Sequence, residues 1–186
     1  MKSVEVRRHS ISGPDKNITP GGLELARRAT HTLRPTYDLY ICSPAPRCIQ
    51  TMEAFSFSNY EVDEGFGPLP EPGPELKTTM ERVGRLAEVR KLTTLEAMFL
   101  TPEVHKLLRD VGDRVLEAVR RVAGRLPEGG SALVVSHGGS IEPAAVITLK
   151  RWDLNSIGGP LNPCEGVIFY LEGDEIKDIK VVRFEG

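Results

Sequence analysis

Three times along this chain a short run of strand-forming residues stops at a loop carrying arginine or histidine, and segments of helical period separate the three runs. That recurrence constrains the fold more than any other feature. Alternating strand and helix units build a parallel sheet, and its carboxyl-terminal edge gathers the loops where ligands bind. The first run is Ser3 to Ser10, SVEVRRHS, in which Val4 and Val6 alternate with Glu5 and Arg7. A two-residue period is that of a pleated strand, and Ile11 to Pro20, rich in Ser, Gly, Pro, Asp and Asn, reads as loop, so Arg8 and His9 fall at a strand end. The second run, Tyr37 to Cys42, enters Ser43-Pro44-Ala45-Pro46-Arg47. The third, Ala132 to Val135, is apolar without alternation, as in a strand buried on both faces, and enters Ser136-His137-Gly138-Gly139.

The residue types at these ends suit an oxyanion. Guanidinium offers forked donors that match phosphate oxygens, and imidazole can act as nucleophile or as acid and base near neutral pH. Arg47 falls in the first turn of the helix expected from Ala45 or Pro46 to about Phe55, beside free backbone donors. His137 stands at the start of a helix expected from about Ser140 to Leu149, where it gives up its proton readily unless an anion is bound.

Between these points Thr19 and Pro20 form a helix start, with an apolar stripe to about Leu33 and a stop at Pro35. Asn59 to Phe66 reads as a third short strand in chain order, and Gly65 to Pro74 as a loop lining a pocket. Glu75 to about Leu100 and Pro102 to about Leu126 are helical in period, and Gly166 to Leu171 with Glu175 to Phe184 form a closing hairpin. The expected architecture is a three-layer α/β/α sandwich whose sheet is mostly parallel with an antiparallel edge, built by residues 1–186 as a single domain. His31 and His105 read as surface residues and Trp152 as packing.

Composition narrows the partners. A net charge of -2, from 24 basic and 26 acidic residues, argues against a nucleic-acid footprint or a polybasic membrane patch. No apolar stretch approaches a membrane span and MKSVEVRRHS has no secretory apolar core, so the expected location is cytoplasmic. Cys42, Cys48 and Cys164 lack metal-ligand spacing and read as reduced buried thiols. No metal and no cofactor is expected.

Taken together, R-H near the amino terminus, S-P-x-x-R-x-x-Q-T after the second run and S-H-G-G near the carboxyl end resemble the histidine phosphatase superfamily, also called phosphoglycerate mutase-like. The resemblance extends from Val4 to about Ile168. It implies a metal-independent phosphoric monoester hydrolase of the histidine acid type. His9 would attack phosphorus to give a phosphohistidine, with Arg8, Arg47, His137 and Gly138 holding the phosphate. It also implies a glutamate that protonates the leaving oxygen. Glu71 ranks first for that role because Leu69-Pro70-Glu71 is similar to the family's L-x-E spacing, Glu64 second, and Glu75 is also available. Much of the stretch at about 75–100 is a helical insertion expected to cover the site and set substrate choice. Two departures stand out. Ser10 replaces the family's usual glycine after the nucleophile, and Arg7 replaces an apolar residue, where it could add charge at the pocket mouth. The first reading is a phosphatase acting on a small phosphorylated metabolite. The alternatives are a protein phosphohistidine phosphatase, a cofactor-dependent phosphoglycerate mutase and an inactive phosphate-binding module.

Overall fold

A computed structural model describes residues 1–184, so the last two residues of the expected 1–186 unit lie outside the described residues. Six strands form one sheet: β1 (Lys2–Arg8), β2 (Leu39–Cys42), β3 (Glu61–Val62), β4 (Ser131–Ser136), β5 (Gly166–Glu172) and β6 (Glu175–Val182), in spatial order β3-β2-β4-β1-β5-β6. The first four are mutually parallel, and β5 and β6 close one side antiparallel. Because β4 lies between β1 and β2, three loops from distant parts of the chain share one edge. In register, Arg8 pairs with Ser136 and Cys42 with Val135, so His9, Ser43 and His137 all follow immediately beyond the last paired residues.

Side chains alternate across β4. Ala132 and Val134 join a core with α5 (His105–Arg125) and α6 (Ile141–Thr148). Leu133 and Val135 join a second core with α1 (Pro20–Ala29) and α2 (Pro46–Ala54). Both faces of the sheet are therefore covered, which gives the three layers and explains the unbroken apolar run of β4. Between β3 and α5, α3 (Lys77–Arg90) and α4 (Thr94–Phe99) occupy the stretch read as an insertion. It is two helices. Lys91 turns left-handed at φ 54, and Thr93 with Glu96 then forms a capping box that starts the second.

Several expectations are corrected. The strand read over Asn59 to Phe66 pairs only at Glu61–Val62, after which Glu64–Phe66 winds into a 3-10 turn started by Asp63 accepting from Gly65 N–H. The α1 helix ends at Ala29 and continues to Thr32 as a 3-10 turn. Arg7 is not at a pocket mouth. It is wholly buried on β1, its Nε donating to Glu5 Oε1 at 2.6 Å and its other nitrogens to the Cys164 and Thr32 carbonyls, while Tyr37 donates to the second Glu5 oxygen. The alternation of Val and charge in β1 thus reflects two buried faces, one apolar and one carrying a paired charge. His105 is half-buried rather than on the surface, with Nε2 donating to the Phe99 carbonyl and its ring edge-on to Trp152.

Candidate active site

At the edge shared by β1, β2 and β4, Arg47 from the first turn of α2 reaches both histidines. Its Nε donates to His9 Nε2 at 3.0 Å and its Nη2 to His137 Nδ1 at 3.1 Å. The two imidazoles lie 5.3 Å apart between centroids, tilted at 69°. A guanidinium only donates, so each of those ring nitrogens presents its lone pair. The opposite nitrogens are fixed by protein acceptors. His9 Nδ1 donates to the Ser10 carbonyl at 2.6 Å, and His137 Nε2 donates to Ser43 Oγ at 2.7 Å.

Burial of the two rings is the first cause of their low basicity, followed by the guanidinium charges around them. His9 is brought down to about 4, with Arg47 and Arg8 adding to burial against a raising contribution from the Ser10 carbonyl. His137 is brought down to about 3, with Arg47 contributing most after burial. Both rings are neutral at neutral pH, and the positive charge of the site belongs to arginine.

Arg8, at the end of β1, donates from Nη1 to the Leu161 carbonyl, while its Nε is buried and makes no hydrogen bond among the described residues. Gly138 is glycine for a local reason, since a Cβ there would come within 2.8 Å of that Nε. Glu142, unremarked in the sequence reading, is wholly buried in the first turn of α6. Its carboxyl accepts from Gly139 N–H at 2.7 Å and from Leu161 N–H at 3.1 Å, tying the His137 loop to the loop that holds Arg8. One acidic residue in the otherwise apolar IEPAAVIT helix was the available signal, because a lone carboxyl in a buried helix needs partners. Ser43 and Arg114 were also missed. Arg114 donates to the Gly67 and Pro68 carbonyls and its charge reaches His137.

The Ser10 hydroxyl is turned to α1 rather than to this cluster. The residue is buried with Oγ donating to the Gly22 carbonyl at 2.6 Å and N–H donating to Thr51 Oγ1, which itself donates to the Arg47 carbonyl, so it locks β1 to α1 and α2. Cys48 Sγ packs 3.5 Å from His137 Nε2, and burial pushes its thiol up to about 12, which leaves it unreactive. The structure therefore brings Arg8, His9, Arg47, His137 and Gly138 together. Glu71, Glu64 and Glu75 are exposed. Leu69 lines a cavity beside Arg8 and Gly138, and Glu71 follows it by two residues without a hydrogen bond to the cluster. Glu64 sits in the turn whose neighbours Phe66 and Gly67 accept from Ser136 and Ser140, and its charge reaches Arg114.

The model for the histidine phosphatase superfamily (branch 1) matches residues 4–176. The chain belongs to that superfamily. No curated protein sequence matches it. Among solved structures, a mycobacterial glucosyl-3-phosphoglycerate phosphatase superposes with a TM-score of 0.70 at 16% identity, covering 98% of each chain. A phosphoserine phosphatase from Entamoeba histolytica gives 0.61 at 14% identity over 97% of this chain and 95% of that one. A phosphoglycerate mutase from Bacillus anthracis gives 0.66 at 17% identity over 97% and 92%. At these identities the likeness is one of fold: a phosphoglycerate mutase-like α/β sheet with antiparallel edge strands. Among the described residues no helix is long and apolar enough to cross a membrane.

Proposed function

We propose that this superfamily member is a phosphatase that hydrolyses a phosphomonoester of a small metabolite through a phosphohistidine on His9. One observation carries the reading: the Nδ1 proton of His9 is held by the Ser10 carbonyl, so the lone pair of Nε2 points at Arg47, whose other arm binds His137. In this reading the phosphoryl group enters among Arg8, Arg47 and His137. The Nε and Nη2 donors of Arg47, which go to ring nitrogens here, turn to the phosphoryl oxygens beside the unpartnered Nε–H of Arg8, and His9 Nε2 is released to attack phosphorus in line. The bond from phosphorus to the leaving oxygen breaks, and a carboxylic acid, Glu71, gives that oxygen its proton. Water then attacks the phosphohistidine and frees phosphate. The unpartnered Nε–H of Arg8 supports an anion here, since a buried donor without an acceptor costs about 1–3 kcal/mol and a phosphate oxygen would satisfy it. The names of the mycobacterial and Entamoeba neighbours support a small-metabolite substrate.

Steady-state phosphate release from p-nitrophenyl phosphate, lost in His9→Ala, is the expected result; release that survives in His9→Ala excludes the phosphohistidine. A second reading, a protein phosphohistidine phosphatase, draws on the exposure of Glu71, because an imidazole leaving group needs little protonation. Alkyl-phosphate turnover falling about 100-fold or more in Glu71→Gln but not in Glu64→Gln favours the monoesterase. Unchanged turnover of both variants, with faster cleavage of a phosphohistidine peptide, favours the second reading.

A further inference from the structure

Beside Arg8 and Gly138 opens a cavity of about 310 Å³ that the loop after β3, the start of α4 and the segment before Leu161 enclose. At about 30 Å³ per water-sized unit it takes a group of roughly ten non-hydrogen atoms. Its walls are mostly apolar: Leu69, Leu95, Met98 and Pro160. Of its two threonines, Thr93 has its hydroxyl engaged in the capping box with Glu96, which leaves Thr94 to offer a hydroxyl to a ligand. The charges are what decide its chemistry. Arg8 is the one cation among the described residues that line it, and that guanidinium is already shared between the Leu161 carbonyl and the phosphate position. Facing it in the same wall is the buried carboxyl of Glu142, its two oxygens held by the Gly139 and Leu161 N–H groups.

We infer that this cavity is the leaving-group subsite and that it selects phosphate esters of small uncharged alcohols, discriminating against esters whose alcohol carries a carboxylate. The inference rests on the phosphatase reading above and narrows its substrate class. A carboxylate entering here meets no cation of its own, apolar walls that cannot solvate it and an acidic side chain behind them. The preference thereby differs from what the names of the phosphoserine and glucosyl-3-phosphoglycerate enzymes say of those proteins.

Glycerol 3-phosphate and 3-phosphoglycerate form a suitable pair, since they differ mainly in a hydroxymethyl group against a carboxylate; p-nitrophenyl phosphate serves as the common reference and benzyl phosphate as the apolar limit. The expected order of kcat/KM is benzyl phosphate above glycerol 3-phosphate, with 3-phosphoglycerate lower than the latter by about tenfold or more. Thr94→Lys places a cation at an exposed rim position, so it folds, and raises 3-phosphoglycerate relative to glycerol 3-phosphate by about fivefold or more. Equal rates for the pair, a preference for 3-phosphoglycerate, or no change of the ratio in Thr94→Lys overturns the inference and leaves the phosphatase reading standing. Silence on every ester, p-nitrophenyl phosphate included, overturns both.

Discussion

The strand-end cluster and the segment from Gly65 to Leu100 both contribute to the surroundings of Arg8, but they are held in different ways. In the cluster both imidazoles are fixed by a buried neighbour, Ser43 for His137 and Ser10 for His9, and Thr51 holds the backbone that carries Arg47. The other segment is anchored at its two ends, by Phe66 and by Ala97, Met98 and Phe99 of α4, while between them Val83 is the buried residue of α3 and Leu76, Met80 and Leu86 pack only partly. A rigid end suits a reacting group that is the same in every phosphate ester. A wall held at its two ends can change the side chains between them, and so its substrate, without loss of the fold.

Substitutions can break this comparison. The largest effect is expected of His9→Ala, with p-nitrophenyl phosphate turnover falling by about 10⁴-fold or more and the thermal midpoint nearly unchanged. A drop under tenfold would place the chemistry elsewhere. Arg7→Met leaves Glu5 buried without its partner and is expected to cost about 3–5 kcal/mol by urea denaturation. Pairing it with Glu5→Gln should recover part of that loss, and a cost under 1 kcal/mol would show that the ion pair is not what secures β1. Arg47→Ala is expected to lower kcat by about 10²–10³-fold with little change in stability.

Proton affinity sharpens the same contrast. Imidazole NMR without added phosphate should find His9 titrating near 4 and His137 near 3, with both values rising on addition of phosphate or vanadate. Since the folded rings bind protons less readily than the ordinary histidine at 6.5, their contribution to stability is complete above that pH. It is lost as pH falls from 6.5 towards 4 and 3. Titration of either ring near 6.5 would mean that the cluster is open to water. The smallest effect is expected on the other side: Lys91→Gly relieves a left-handed residue and should raise stability by about 0.5–1 kcal/mol without altering turnover.

Arg8, His9, Arg47, His137 and Gly138 were legible because each lies at the end of a strand-like run or in the loop and first helical turn that follow it, where local pattern and chemistry coincide. Arg7 was misread for the opposite reason. Its neighbour Val6 and its partner Glu5 suggest a strand with one wet face, and burial of the second face depends on α1, the 3-10 turn after it and Cys164, up to 157 residues away. Ser43 and Arg114 act on residues remote in sequence, so no local pattern marked their roles, and the lone acid of the IEPAAVIT helix marked Glu142 as buried and paired without naming its distant partner Leu161. Glu71 was selected by spacing alone, and its exposure leaves the Glu71→Gln measurement to decide its part.

The amino-acid order by itself determined which residues stand at strand ends, because hydrophobic period and loop-forming residues are local properties that short segments express independently. Only the tertiary structure decided that β4 enters between β1 and β2, which carries His137 to within 5.3 Å of His9 and sets Glu142 behind Arg8. Strand order arises from the joint burial of both sheet faces, and that is a property of the whole chain rather than of any stretch of it.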